Sequence, residues 1–188
     1  SLSDLKNYRV IERQPVCAPY REYEVCGMGA PSSGAIALGE ILGVLQNQDM
    51  KALGSENIHS WRWIGDASRI AFVDRDHYIG DPAFVNVPTR ALISQAYLKP
   101  RAEEIRQADK ALENIQAGKF GKKYAQGMAI ELPSTSHLVV VDKDGNVVSM
   151  TTSIENAFGS GLMANGYLLN NELTDFAFNP VGADGKTV

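Results

Sequence analysis

The chain has 188 residues, 44% of them apolar and 21% charged, with a net charge of −4; it has the apolar side chains to build a core and is not a disordered polymer. No apolar run approaches the roughly 20 residues that a membrane-spanning helix requires, and the chain does not open on the basic and then apolar segments of a secretion signal. An acidic balance argues against nucleic acid as a partner, because such proteins turn a basic face to phosphate.

Leu2 to Tyr8 reads as a short helix. The segment VCAPYREYEVC then alternates apolar and polar residues on either side of a turn at Ala18 to Arg21, the pattern of a hairpin. Cys17 and Cys26 lie within bridging distance on such a hairpin, and two readings stay open: a disulfide, which implies an oxidising compartment, or two packed thiols. Two ligands alone do not make a zinc site, and nothing nearby offers a base to a nucleophilic cysteine. Pro31-Ser32-Ser33-Gly34 opens a helix that Ser32 or Ser33 can cap, with Leu38, Ile41, Leu42 and Leu45 on one face. A longer helix starts at Ser55, with Ile58, Trp61, Ser68 and Phe72 among its inward positions, and stops after Tyr78 at Ile79-Gly80-Asp81-Pro82. Residues 89–116 suggest one or two more helices, broken near Lys99-Pro100. His59, His77 and His137 lie in unrelated segments without ligand spacing, so neither a metal nor another cofactor is expected.

Residues 117–134 carry three glycines and a proline without periodicity and read as an exposed, mobile linker. The pattern then changes. Thr135 to Asp142 is β-rich, Lys143-Asp144-Gly145 is a tight turn, and Asn146 to Ser153 is a second strand. Leu138 to Val141 is apolar on both faces, which predicts a strand between two covering layers. From Tyr124 onward two lysines face seven carboxylates, a net of −5. Asp142, Asp144 and Asp184 sit beside glycines and read as solvated turn residues. Glu155, Glu172 and Asp175 lie in a different setting, and an acidic site suits a substrate that carries an ammonium group.

A threonine that follows a flexible linker and opens a strand has a chemical use. Its hydroxyl is a poor nucleophile until a base takes the proton, and a free α-amine on the same residue, with a pKa of about 7.7–8.0, can be that base. Such a threonine must first be released by cutting the bond before it, here Ser134–Thr135. The motifs around it carry a resemblance: Thr135-Ser136-His137, Val141-Asp142-Lys143-Asp144-Gly145-Asn146, Phe158-Gly159-Ser160-Gly161, and Leu168-Leu169-Asn170-Asn171-Glu172 with Asp175-Phe176. Pro31-Ser32-Ser33-Gly34 and Ala71-Phe72-Val73-Asp74-Arg75 with Tyr78 and Asp81-Pro82 add to it. In these motifs, and across essentially the whole chain, the sequence resembles the γ-glutamyltranspeptidase family of N-terminal-nucleophile hydrolases.

The resemblance implies roles residue by residue. Thr135 matches the catalytic threonine, which cleaves its own precursor after Ser134 and then accepts the γ-glutamyl group as an ester. Ser153 matches a hydroxyl that hydrogen-bonds the nucleophile. Glu155 stands where many members have asparagine and some glutamate, and Glu172 and Asp175 match the residues that hold the substrate's α-ammonium. The implied donor is a γ-glutamyl compound such as glutathione, and the implied acceptor an amino acid, a peptide or water. A same-fold acylase with another donor, such as a cephalosporin side chain or poly-γ-glutamate, is the alternative, as is an uncut, silent binding module.

The implied fold is α/β (α+β), with helices layered on a largely antiparallel sheet, as in the family's αββα sandwich. The family's chain extends further in both directions, and it includes the serine pair and the arginine that contact the substrate carboxylate and the Gly-Gly pair of the oxyanion hole. The 188 residues therefore read as a central excerpt of one structural domain. Residues 1–134 correspond to the end of the large subunit, with the linker at 117–134, and 135–188 to the start of the small one. Alone it is expected to be inactive, and the remaining segments of both subunits are its expected partners. A periplasmic or extracellular location follows from the family, and neither nucleic acid nor membrane is expected to bind.

Overall fold

The computed structural model describes residues 1–120 and 135–172, together with 181 and 185. Contacts divide the chain into two compact units, Ser1–Tyr124 and Ala125–Val188.

The first unit is helical apart from one hairpin. Helix α1 (Leu2–Asn7) is capped by the Ser1 hydroxyl, which accepts from the Asp4 N–H, and buries nothing. Strands β1 (Val16–Tyr20) and β2 (Tyr23–Gly27) pair antiparallel around Arg21-Glu22, two residues later than the sequence suggests. Cys17 stands directly opposite Cys26 with Cα atoms 4.0 Å apart, and the two sulfurs are bonded to each other. Glu24 lies close enough to make a ligand trio with them, but bonded sulfurs offer no thiolate to a metal.

Helix α2 (Gly34–Leu45) packs on this hairpin and on three later helices, and glycine permits the approach. A Cβ on Gly39 would lie 2.9 Å from that of Ala18, and one on Gly43 would collide with Leu98. Neither serine expected to cap α2 closes it in the usual way: Ser33 makes no capping bond, and Ser32 Oγ accepts weakly from Gly34 N–H at 3.4 Å. Leu38, expected inward, is exposed; the buried stripe is Ile36, Ala37, Glu40, Val44 and Leu45.

A single turn, α3 (Met50–Leu53), precedes the long helix α4 (Ile58–Tyr78), which Asn57 caps in place of Ser55. Its inward face corrects the sequence reading. Ile58, Trp61 and Phe72 are exposed, and the buried face carries Trp63, Ala67, Ile70, Ala71, Asp74 and Tyr78. Both stripes have helical spacing and aromatic residues, and the buried one contains carboxylates, whose partners arrive from far along the chain. Asp66 Oδ1 accepts from Leu112 N–H at 3.0 Å, and Asp74 Oδ1 accepts from Gly118 N–H at 2.7 Å. After α5 (Thr89–Leu92), helix α6 (Gln95–Gln107) runs straight through Pro100, where a break was expected. Proline removes one helical hydrogen bond, but Leu98, Ala102 and Ile105 on both sides of it are buried against Val44, Trp63 and Ile70 and hold the helix together. Arg62 spans from α4 to the carbonyls of Ile105, Ala108 and Lys110 and so closes the C-terminal end of α6.

Residues 117–120 are not the start of an exposed linker. Ala117 is buried, Tyr78 Oη donates to Gly118 O at 2.6 Å and accepts from Phe120 N–H at 3.1 Å, and the Phe120 ring meets Tyr78 and Tyr97 edge-on. The rest of the predicted linker, 121–134, lies outside the described residues.

Beneath that anchor is a buried acid pair. Glu40 on α2 is fully buried, no N–H or O–H donor among the described residues reaches either of its oxygens, and its neighbour is Asp74. Burial, and then the charge and hydrogen bond of Asp74, push Glu40 up to about 10 despite the nearby Arg101. At neutral pH Glu40 is therefore an un-ionised acid that donates to Asp74, which also accepts from Tyr97 Oη at 2.5 Å. Burial and that same bond raise the Tyr97 hydroxyl.

The second unit is built on the hairpin of β3 (Thr135–Val141) and β4 (Val147–Ser153), in register from Thr135 opposite Ser153 to Val141 opposite Val147. Its turn is held by Asp142, whose Oδ1 accepts from the N–H groups of Asp144 and Asn146 at 2.9 Å each. The Asn146 amide bonds the other carboxylate oxygen, and these donors hold Asp142 below the usual carboxylate range. Gly145 supplies the left-handed backbone (φ +83°). A second, minimal hairpin joins β5 (Met163–Ala164) to β6 (Tyr167–Leu168) through Asn165-Gly166, both at positive φ, the two-residue turn that this dipeptide favours. The expected covering layers on β3 are not seen: Leu138 to Val141 are 40–62% exposed. No α-helix lies among the described residues of this unit, and a two-stranded ribbon cannot cover its own faces.

Candidate active site

Antiparallel pairing brings together two hydroxyls that are 18 residues apart. Thr135 opens β3, Ser153 closes β4, and the register sets them opposite each other with Thr135 Oγ1 donating to Ser153 Oγ at 3.0 Å. Ser153 Oγ also accepts from Glu155 N–H at 2.8 Å, so its position is set from both sides. The strand's period of two carries the same face onward. One step along it, His137 Nδ1 lies 2.8 Å from Thr151 Oγ1, and its Nε2 lies 3.1 Å from Ser149 Oγ.

The chain leaves β4 through Glu155, a non-glycine residue at φ +67° with 9% of its surface exposed. A left-handed backbone at such a residue costs energy and needs support. The support comes from Asn171. Its amide nitrogen donates to Glu155 Oε2, its Oδ1 accepts from Asn156 N–H at 3.0 Å, and its own N–H donates to Ile154 O at 3.2 Å. The Phe158–Gly161 loop brings this second strand of chain alongside. Ser160 donates to Leu169 O through both N–H (2.9 Å) and hydroxyl (3.2 Å). Gly159 (φ +54°) leaves room that any side chain would take from the Leu169 carbonyl.

Of the residues singled out in the sequence, the structure thus brings Thr135, Ser153 and Glu155 into one hydrogen-bonded chain. Glu172 follows directly on Asn171, is exposed, and donates its N–H to Asn170 Oδ1 at 3.4 Å. Ser134 and Asp175 lie outside the described residues. Sequence reasoning passed over Asn171 as a functional residue, although it quoted the Asn170-Asn171 pair as a motif. It also passed over the place of His137, which the alternation of β3 puts on the Thr135 face.

An aimed hydroxyl suits acyl transfer, provided that a base is at hand. While the Ser134–Thr135 bond is intact the Thr135 nitrogen is an amide and cannot serve; once that bond is cut, it is an amine two bonds from the carbon that bears the hydroxyl.

The γ-glutamyltranspeptidase family model matches residues 1–188. The glutathione hydrolase proenzyme of Escherichia coli (strain K12) is 38% identical over 196 aligned residues, which cover 98% of this chain and 33% of that protein. The crystal structure of Helicobacter pylori γ-glutamyltranspeptidase superposes with a TM-score of 0.59 at 39% identity, over 62% of this chain and 34% of that one. Cephalosporin acylase from Bacillus halodurans superposes with a TM-score of 0.76 over 98% of this chain and 32% of that one, at 24% identity, a likeness of fold. The mixed fold with antiparallel strands expected from the sequence is that of these N-terminal-nucleophile hydrolases. The chain spans about a third of the length of the curated relatives it matches. By a match that runs through all of its residues, the chain belongs to the γ-glutamyltranspeptidase family.

Proposed function

We propose that the protein containing this chain is a γ-glutamyl transferase and hydrolase that matures by cutting itself at Ser134–Thr135, dividing the large-subunit region 1–134 from the small-subunit region 135–188. The observation that carries the reading is the Thr135 hydroxyl, 3.0 Å from Ser153 Oγ at the head of β3. In maturation, Thr135 Oγ1 attacks the Ser134 carbonyl carbon, the C–N bond breaks as the C–O bond forms, and the hydroxyl proton ends on the departing nitrogen. Water then hydrolyses the ester and leaves a free Thr135 amine and hydroxyl. In turnover that amine takes the Oγ1 proton, Oγ1 accepts the γ-glutamyl group of a glutathione-like donor, and the proton passes to the leaving amine. An amino acid, a peptide or water then removes the acyl group. The Escherichia coli relative is named a glutathione hydrolase proenzyme, which supports both a maturation step and a glutathione-like donor.

The donor's α-ammonium is assigned to Glu155, Glu172 and Asp175, in the acidic part of the chain. Carboxylates close together repel one another unless a cation compensates, and charge-assisted hydrogen bonds to an ammonium contribute about 1.5–3 kcal/mol each. Asp175→Asn in the full-length enzyme keeps the shape and removes the charge. Its kcat/KM should fall by roughly one to two powers of ten for a γ-glutamyl donor, and by less for a donor without the α-amino group. Equal losses for both donors contradict the assignment. The Cys17–Cys26 bond supports an exported location, where such bonds persist. No described helix is long and apolar enough to cross a membrane.

A further inference from the structure

The Asn171 side chain uses its two ends on neighbouring residues. Asn156 N–H can donate only to an acceptor, so it fixes the Asn171 oxygen on its side at 3.0 Å, and the amide nitrogen must then face Glu155 Oε2. Flipped, the amide would set an oxygen against a carboxylate and a donor against a donor. The Asn171 N–H holds Ile154 O as well, so this one residue grips residues 154, 155 and 156 in turn. The residue in the middle needs that grip, because it is nearly buried and in a left-handed conformation. A buried carboxylate requires donors. It offers about four acceptor positions, and one amide N–H leaves most of them for a ligand.

We propose that Asn171 is a positioning residue for donor selection: it presents a donor to position 155, so that the Glu155 carboxylate is held in place for the substrate's ammonium group while the same amide keeps the 154–156 turn in place. The proposal rests on the reading above that Glu155 meets that ammonium. The link to the nucleophile is direct, since the Glu155 N–H bonds the hydroxyl that holds Thr135.

The test uses the full-length enzyme and two donors, a γ-glutamyl amide and its analogue lacking the α-amino group. Asn171→Asp keeps an oxygen for Asn156 N–H but replaces the donor facing Glu155 with an acceptor. KM for the γ-glutamyl amide should rise roughly tenfold or more with kcat within a few-fold, while KM for the analogue should stay within about twofold. Unchanged KM for the γ-glutamyl amide, or an equal rise for both donors, overturns the proposal. Glu155→Gln separates the two levels. If it leaves both KM values unchanged, the reading of Glu155 as the ammonium ligand fails; if it raises KM for the γ-glutamyl amide and Asn171→Asp does not, only the clamp fails. A readout independent of activity is the double variant Asn171→Asp/Glu155→Gln, which reverses the direction of the hydrogen bond. It should recover melting temperature lost in Asn171→Asp, and no recovery contradicts the clamp.

Discussion

Thr135→Ala in the full-length protein is expected to yield one uncut polypeptide with no γ-glutamyl transfer or hydrolysis above background. The methyl group occupies the same place on β3 and preserves the pairing with β4, but it removes the only atom that can form the ester. Losing a nucleophile typically costs on the order of 10⁴-fold or more in turnover. Thr135→Ser keeps the oxygen and its partner Ser153 and should still divide the chain, more slowly, because without the γ-methyl the side chain loses its stiff rotamer preference. A denaturing gel reads both results. Two bands from Thr135→Ala, with a cut after Ser134, are incompatible with the proposed self-cleavage.

The second large effect concerns stability. The buried acid on α2 titrates at about 10 in the folded chain, against about 4.3 for an ordinary glutamate. Between those two values the unfolded chain has lost the proton that the folded chain keeps. Unfolding therefore releases a proton, and stability falls as pH rises, by up to about 1.4 kcal/mol per pH unit. Burial sets most of this, the charge and hydrogen bond of Asp74 on α4 add to it, and Arg101 on α6 opposes it. Glu40→Gln retains a donor toward Asp74 and cannot ionise. The melting temperature of this variant, relative to the parent, should therefore climb steadily from pH 5 to pH 8, over a range worth a few kcal/mol. Parallel melting curves across that range would show that Glu40 is ionised in the folded state.

The hairpin that carries the site was legible in the sequence from its two β-rich segments and the tight turn between them. That Ser153 partners Thr135 was implied by the family resemblance alone, and the register of the structure sets the two opposite each other. The interior of the helical unit was harder, because α4 carries two aromatic stripes and the buried one includes Asp66 and Asp74. One oxygen of each accepts from a backbone N–H more than 40 residues away, which no periodicity reports. Pro100 misled for a similar reason, since burial on both sides outweighs one lost hydrogen bond. The Asn171 clamp was hidden because it depends on the Phe158–Gly161 loop folding back on Leu169, a contact made by glycine space and not by a side-chain pattern. The Asn165-Gly166 turn, by contrast, carried its usual signal and was passed over.

The central claim is that Thr135, freed at its amine, carries the acyl group. The most direct measurement is peptide mapping by mass spectrometry of full-length protein quenched with acid during turnover of a γ-glutamyl donor. The expected result is a fragment that begins at Thr135 and is heavier by one γ-glutamyl group, with the added mass on that threonine. A chain uncut after Ser134, or an adduct on any other residue, would contradict it.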